Sequence, residues 1–161
     1  MLLNYLLIAI LVGIDQIVKY WTVANFAVNE GQDFIPGILS FFYIQNDGAA
    51  WGIFSGQMWL FYIITVAVVA VLVYMLHKEA KGAPLLAIGL SFMIAGALGN
   101  FIDRLHLNYV IDMFRLEFMD FPIFNVADVC LTIGVIMMIV YMIITPEDQL
   151  EKRTANKSAV R

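Results

Sequence analysis

The sequence predicts an all-α membrane protein: four transmembrane helices with a small extracytoplasmic β-sheet between the first and second spans. Three observations carry this. Four apolar segments lie at about 2–23, 58–76, 84–102 and 126–145. Each is near the ~20 residues that cross ~30 Å of hydrocarbon at ~1.5 Å per residue. The chain is 62% hydrophobic and 14% charged, where soluble domains carry roughly 25% charge. One connection, 24–57, is too apolar to float in water and is rich in aromatic and β-branched residues.

The first segment opens MLLNYLLIAILVG and runs on into Asp15 and Lys19. A secretory signal shows a basic start and a small-residue cleavage site; neither is present, so this segment reads as a retained span. The next stretch, DFIPGILSFFYIQNDGAAWGIFSG, is punctuated by Pro36-Gly37, Asn46-Asp47-Gly48 and Ser55-Gly56. That is the pattern of short strands joined by turns, here a sheet lying on the membrane surface. The second and third spans are helices, because lipid gives a backbone no partners. Residues 103–125 read as a re-entrant or interfacial stretch, with Phe114, Phe118, Phe121 and Phe124 at headgroup level. The fourth span is followed by a polar tail over 146–161. The whole is one domain.

Charge sets the orientation. Lys78 and Lys81 join the second and third spans, and Lys152, Arg153, Lys157 and Arg161 lie in the tail. Arg104 and Arg115 lie on the other side among several acids, and 24–57 has no Lys or Arg. Basic residues mark the cytoplasmic side, so both termini are expected there and the two long connections face outward. The net charge of −4 and the lack of a basic stripe exclude nucleic acid as a partner. The single Cys130 forms no internal disulfide, and His77 and His106 are far apart, so no metal site and no cofactor is expected.

Against this background the acids stand out, because charge in hydrocarbon is costly and persists where it works or is paired. Asp112 lies beyond the third span and Asp128 opens the fourth, both near the outer boundary. If their carboxyls meet, both cannot ionise, and the pair offers one acid and one base near neutral pH. That suffices to hydrolyse an amide without a metal. The alternative is two independent carboxylates, with Asp128 capping the fourth helix. Asp15 and Lys19 stand at i,i+4 in the favourable order, an internal ion pair or a clamp on a neighbouring loop or lipid headgroup. In AGALGNFIDR, Ala95, Gly96, Ala97 and Gly99 suit close helix packing. Asn100, Asp103 and Arg104 are polar groups that a span's last turn seldom holds idle. Arg104 has two readings, as Asp103's partner or as a donor to substrate. The rival functional class is a transporter or proton-conducting subunit. It fits poorly, because the acids gather at one face and no inverted repeat is visible.

The motifs IDQIVK (14–19), NDGAAWG (46–52), GALGNFIDR (96–104), VIDMF (110–114) and FNVAD (124–128) stand in the order seen in lipoprotein signal peptidases, the signal peptidase II family. The resemblance spans about residues 14 to 134. It implies an aspartic endopeptidase of the bacterial plasma membrane, acting near the outer face. Such an enzyme cleaves the signal peptide of prolipoproteins just before a diacylglyceryl-modified cysteine. It further implies a catalytic pair at Asp112 and Asp128, with supporting or substrate-binding roles for Asp15, Lys19, Asn46, Gly48, Asn100, Asp103, Arg104, Asn125 and Ala127. The strand-like outer segment corresponds to the family's β-cradle. The implied partners are diacylglyceryl-modified prolipoproteins and membrane lipid, with the chain working as a monomer. Asp47 stands where the family often has Thr or Asn, and Met113 where Phe is frequent.

Overall fold

A computed structural model describes residues 1–48, 54 and 56–146. The tail from 147, with its four basic residues, lies outside the described residues, as do positions 49–52 of the NDGAAWG motif. The elements run α1 (Leu2–Asn25), β1 (Gly31–Ile35), β2 (Leu39–Asn46), α2 (Met58–Lys78), α3 (Pro84–Leu107), β3 (Val110–Leu116) and α4 (Val126–Ile144). All four helices are long and apolar enough to cross a membrane. The molecule is a multi-pass membrane protein carrying a small antiparallel sheet.

α3 is the central helix, with half of its apolar window buried against 17% or less in the others. Its small residues permit this. A Cβ on Gly96 would stand 2.4 Å from the Ala127 carbonyl oxygen, and one on Gly134 of α4 would stand 2.6 Å from that of Gly89. The α3 and α4 backbones therefore touch, as small-residue stripes allow in lipid. The end of the bundle away from the sheet is a plain apolar core of Ile8, Leu72, Leu76, Leu86, Leu90 and Ile94.

α3 runs five residues past the apolar segment, from the expected 102 to Leu107. It stops at Asn108, which adopts a left-handed φ of 62° and donates its N–H to the Arg104 carbonyl at 3.1 Å. The extra turn carries Asp103 and Arg104 beyond the apolar core. α4 begins with a capping box: the Asn125 side chain accepts from Asp128 N–H, and the Asp128 carboxylate accepts from Asn125 N–H.

The sheet has the order β1-β2-β3. β1 and β2 form a hairpin turning at Pro36-Gly37, where Gly37 takes a φ of +75°. β3 comes from the connection between α3 and α4 and pairs with β2, Ser40 opposite Arg115 and Ile44 opposite Asp112. The sequence predicts a re-entrant or interfacial stretch over 103–125 and signals no strand there. Val110, Ile111, Asp112 and Met113 are all buried, so the alternation that marks a half-buried strand is missing. Tyr43, Ile111 and Met113 form a second apolar cluster with the sheet.

Candidate active site

The strand and cap just described bring Asp112 and Asp128 to one cavity of about 900 Å³, whose lining includes Asn46, Asn100 and Arg104. Asn125 holds both acids. Its Nδ2 donates to Asp112 Oδ1 at 2.6 Å, and its backbone N–H donates to Asp128 Oδ2 at 3.1 Å. Asn46 Nδ2 donates to the other Asp112 oxygen at 2.9 Å. Asn100 Nδ2 donates to Asp128 Oδ1 at 2.8 Å.

The two acids differ in exposure. Asp112 is 1% exposed, while Asp128 is half-buried. Burial pushes the Asp112 carboxyl from 3.8 up to about 7, and the nearby Asp128 charge pushes the same way. Hydrogen bonds from Asn46 and Asn125, and the charge of Lys19, pull it down less strongly. Near neutral pH, Asp112 is therefore poised between its two forms. A carboxyl in that state can give or take a proton across the cavity.

Behind the acids lies a buried polar network. Lys19 is 1% exposed. It contacts Asp15 Oδ2 at 3.0 Å, Asp103 Oδ2 at 2.9 Å and Asn100 Oδ1 at 3.0 Å. The internal ion pair expected of Asp15 and Lys19 is present and has a third member. Asp15 Oδ1 accepts from Ala127 N–H at 2.8 Å, so α1 grips the first turn of α4. Asp103 Oδ2 accepts from Ile111 N–H at 3.1 Å, so α3 grips β3. A Cβ on Gly99 would stand 2.6 Å from Asp15 Oδ2; only glycine lets that carboxylate lie against α3.

Arg104 does not pair with Asp103. Adjacent residues on a helix point about 100° apart, and Lys19 already holds the acid. Arg104 Nη2 donates to the Gly48 carbonyl at 3.3 Å, and its guanidinium lies 4.5 Å from the Phe61 ring centroid. Its Nε is buried with no hydrogen-bond partner among the described residues. Gly48 is itself held by an N–H donated to Asn46 Oδ1 at 3.0 Å. Arg104 thus lines the cavity that holds both carboxyls.

Gln16 is the residue that sequence reading missed. Its Nε2 lies 3.1 Å from Asp15 Oδ2, 3.0 Å from Asp103 Oδ1 and 3.2 Å from the Gly99 carbonyl. It bridges the two carboxylates that flank Lys19. Its place between Asp15 and Lys19 in IDQIVK was the available signal. Among the described residues no three His, Cys, Asp or Glu side chains group as metal ligands.

Fold and site together define a multi-pass membrane protein with a paired-carboxylate centre at one end of its helices. Residues 7–144 match the family model described as Signal peptidase (SPase) II. A lipoprotein signal peptidase of Lactobacillus johnsonii is 50% identical over 144 residues, covering 89% of this chain and 94% of its own. One of Enterococcus faecalis is 51% identical, covering 87% of each. A solved structure described as a bacterial membrane enzyme, at 2.3 Å resolution, superposes with a TM-score of 0.85 at 39% identity, covering 89% of this chain and 88% of its own. A second, at 1.9 Å, gives 0.84 at 38%, covering 91% and 96%. The chain belongs to the signal peptidase II family, a family of membrane proteases.

Proposed function

We propose that this protein is an aspartic endopeptidase that removes the signal peptide from bacterial prolipoproteins, cutting before the diacylglyceryl-modified cysteine. The observation that carries the reading is the tie of both carboxyls to Asn125, one by its side chain and one by its backbone. Family membership and the relatives' names support the substrate.

Asp112, with its carboxyl near 7, holds the proton shared by the pair. Asp128 sits at the positive end of α4 and takes a proton from water as that water attacks the scissile carbonyl. The Asp112 proton hydrogen-bonds the carbonyl oxygen, stabilising the tetrahedral intermediate. The leaving amine is then protonated from the pair as the C–N bond breaks, and the pair returns to a single shared proton. Asn100 and Asn125 orient the two acids, Asn46 and Gly48 brace Asp112 and the cavity rim, and the cavity-lining guanidinium of Arg104 donates to a substrate carbonyl. Asp15, Lys19, Asp103 and Ala127 fix the helices that carry these groups.

The substrate's apolar signal helix lies among the spans and its acyl chains stay in lipid. The scissile bond then falls at the boundary where the two carboxyls stand. Lys78, the last residue of α2, and Lys81, between α2 and α3, support a cytoplasmic placement for that end and for both termini. The site then opens at the outer face of the plasma membrane, and one chain suffices.

The test mixes the purified protein with a lipidated prolipoprotein and follows the shortened product. Asp112→Asn and Asp128→Asn should each abolish cleavage while the protein still inserts in the membrane. Near-normal processing by either variant refutes the assignment.

A further inference from the structure

We propose that Lys19 is a positioning residue for the reaction, acting on Asp128 through the side-chain amide of Asn100. The proposal rests on the reading above of Asp112 and Asp128 as the working pair.

The argument is one of donors and acceptors. Lys19 is an ammonium with three donors and no acceptor. All three are spent at 1% exposure, two on the carboxylates of Asp15 and Asp103 and the third on Asn100 Oδ1. The ion pairs alone would leave one N–H of a buried cation unmet, and Asn100 meets it. The same Asn100 oxygen also accepts from Asn125 Nδ2 at 2.9 Å. Asn125 cannot be turned around, because its own oxygen accepts the Asp128 N–H at 3.0 Å. Asn100 Oδ1 therefore faces two obligate donors, and its Nδ2 has one direction left, towards Asp128 Oδ1 at 2.8 Å.

An amide has two nearly isosteric orientations, and the network decides between them. Flipped, Asn100 would place its oxygen against the Asp128 carboxylate and its NH₂ against the ammonium and the Asn125 amide. The flipped state is costly at both ends, and Lys19 supplies the cost at the buried one. The charge on α1 thus holds the amide that occupies Asp128 Oδ1, while Asn125 N–H holds Oδ2, and it does so without touching substrate.

The test is a double-mutant cycle on lipidated prolipoprotein cleavage, with kcat and KM measured separately. Lys19→Met should lower kcat by about 100-fold, the scale on which slight misplacement of reacting groups acts, with KM changed less than threefold. In an Asn100→Leu background the same change should cost less than about fivefold in kcat, because the link is already broken. Equal losses in both backgrounds would mean that Lys19 serves only the fold, and would overturn the proposal. Where Lys19→Met does not fold, Asn100→Leu alone decides, since it leaves Lys19, Asp15 and Asp103 paired. It should lose about 100-fold in kcat at near-normal KM, and a loss under threefold overturns the proposal. Cleavage by the unmodified protein in the same assay separates this result from failure of the peptidase reading itself.

Discussion

Asn46 and Asp112 meet diagonally across the sheet. Backbone pairing sets Asp112 opposite Ile44 and Asn46 opposite Val110, yet the Asn46 amide reaches the Asp112 carboxylate at 2.9 Å. Diagonal neighbours on one face lie within reach of such side chains. This hydrogen bond holds the Asp112 carboxyl below where burial alone would place it. Asn46→Leu should therefore raise it further. The limb of the pH–rate profile on which Asp112 gives up its proton should move to higher pH, alongside a drop in kcat. An unmoved limb would contradict the assignment of that limb to Asp112.

Asp112 also predicts an effect on stability with a definite sign. The native carboxyl keeps its proton up to about 7, whereas an unperturbed one releases it near 3.8. Between those values the native state binds more protons than the unfolded one, so stability falls as pH rises, by at most about 4 kcal/mol. Asp112→Asn has no proton to lose. Its thermal unfolding in detergent should exceed that of the unmodified protein by more at pH 8 than at pH 5. A constant difference would mean that burial does not strain this carboxyl.

Gly96 tests the helix contact that places Asp128. A side chain there meets the Ala127 carbonyl, one residue before the acid. Gly96→Val should destabilise by about 3 kcal/mol, at the upper end of ordinary overpacking, and should lower cleavage by shifting the start of α4. Retention of both activity and melting temperature would show that the helices separate freely.

Asp103→Ala removes one of the two buried carboxylates on Lys19 and leaves the Ile111 N–H without its acceptor. Breaking a buried ion pair from one side costs about 3–5 kcal/mol. Unfolding in detergent should show a loss on that scale, with β3 the strand released.

The spans were legible because apolar length is a local property. So was the hairpin, since Pro36-Gly37 and the aromatic run sit beside each other in the chain. β3 was not, because its evidence is its pairing with β2, more than sixty residues earlier. The site divides in the same way. Asp112, Asp128 and Asn125 stood in motifs whose order could be read. Gln16 is not legible in the same way, because its partners beyond Asp15 are the Gly99 carbonyl and the Asp103 carboxylate of α3. The choice of Lys19 over Arg104 as the partner of Asp103 also depends on how helices pack, which no local spacing records.

The third strand has a consequence for biosynthesis. β1 and β2 leave the ribosome before α2 and α3, and β3 only after them. Until β3 arrives, β2 offers a bare edge, the kind of edge that invites pairing with foreign chains. Asp112 rides on the strand that closes that edge, so the nascent chain does not hold both carboxyls of the proposed pair while the edge is open. Proteolytic competence is thereby deferred until α4 has been made and both halves have docked.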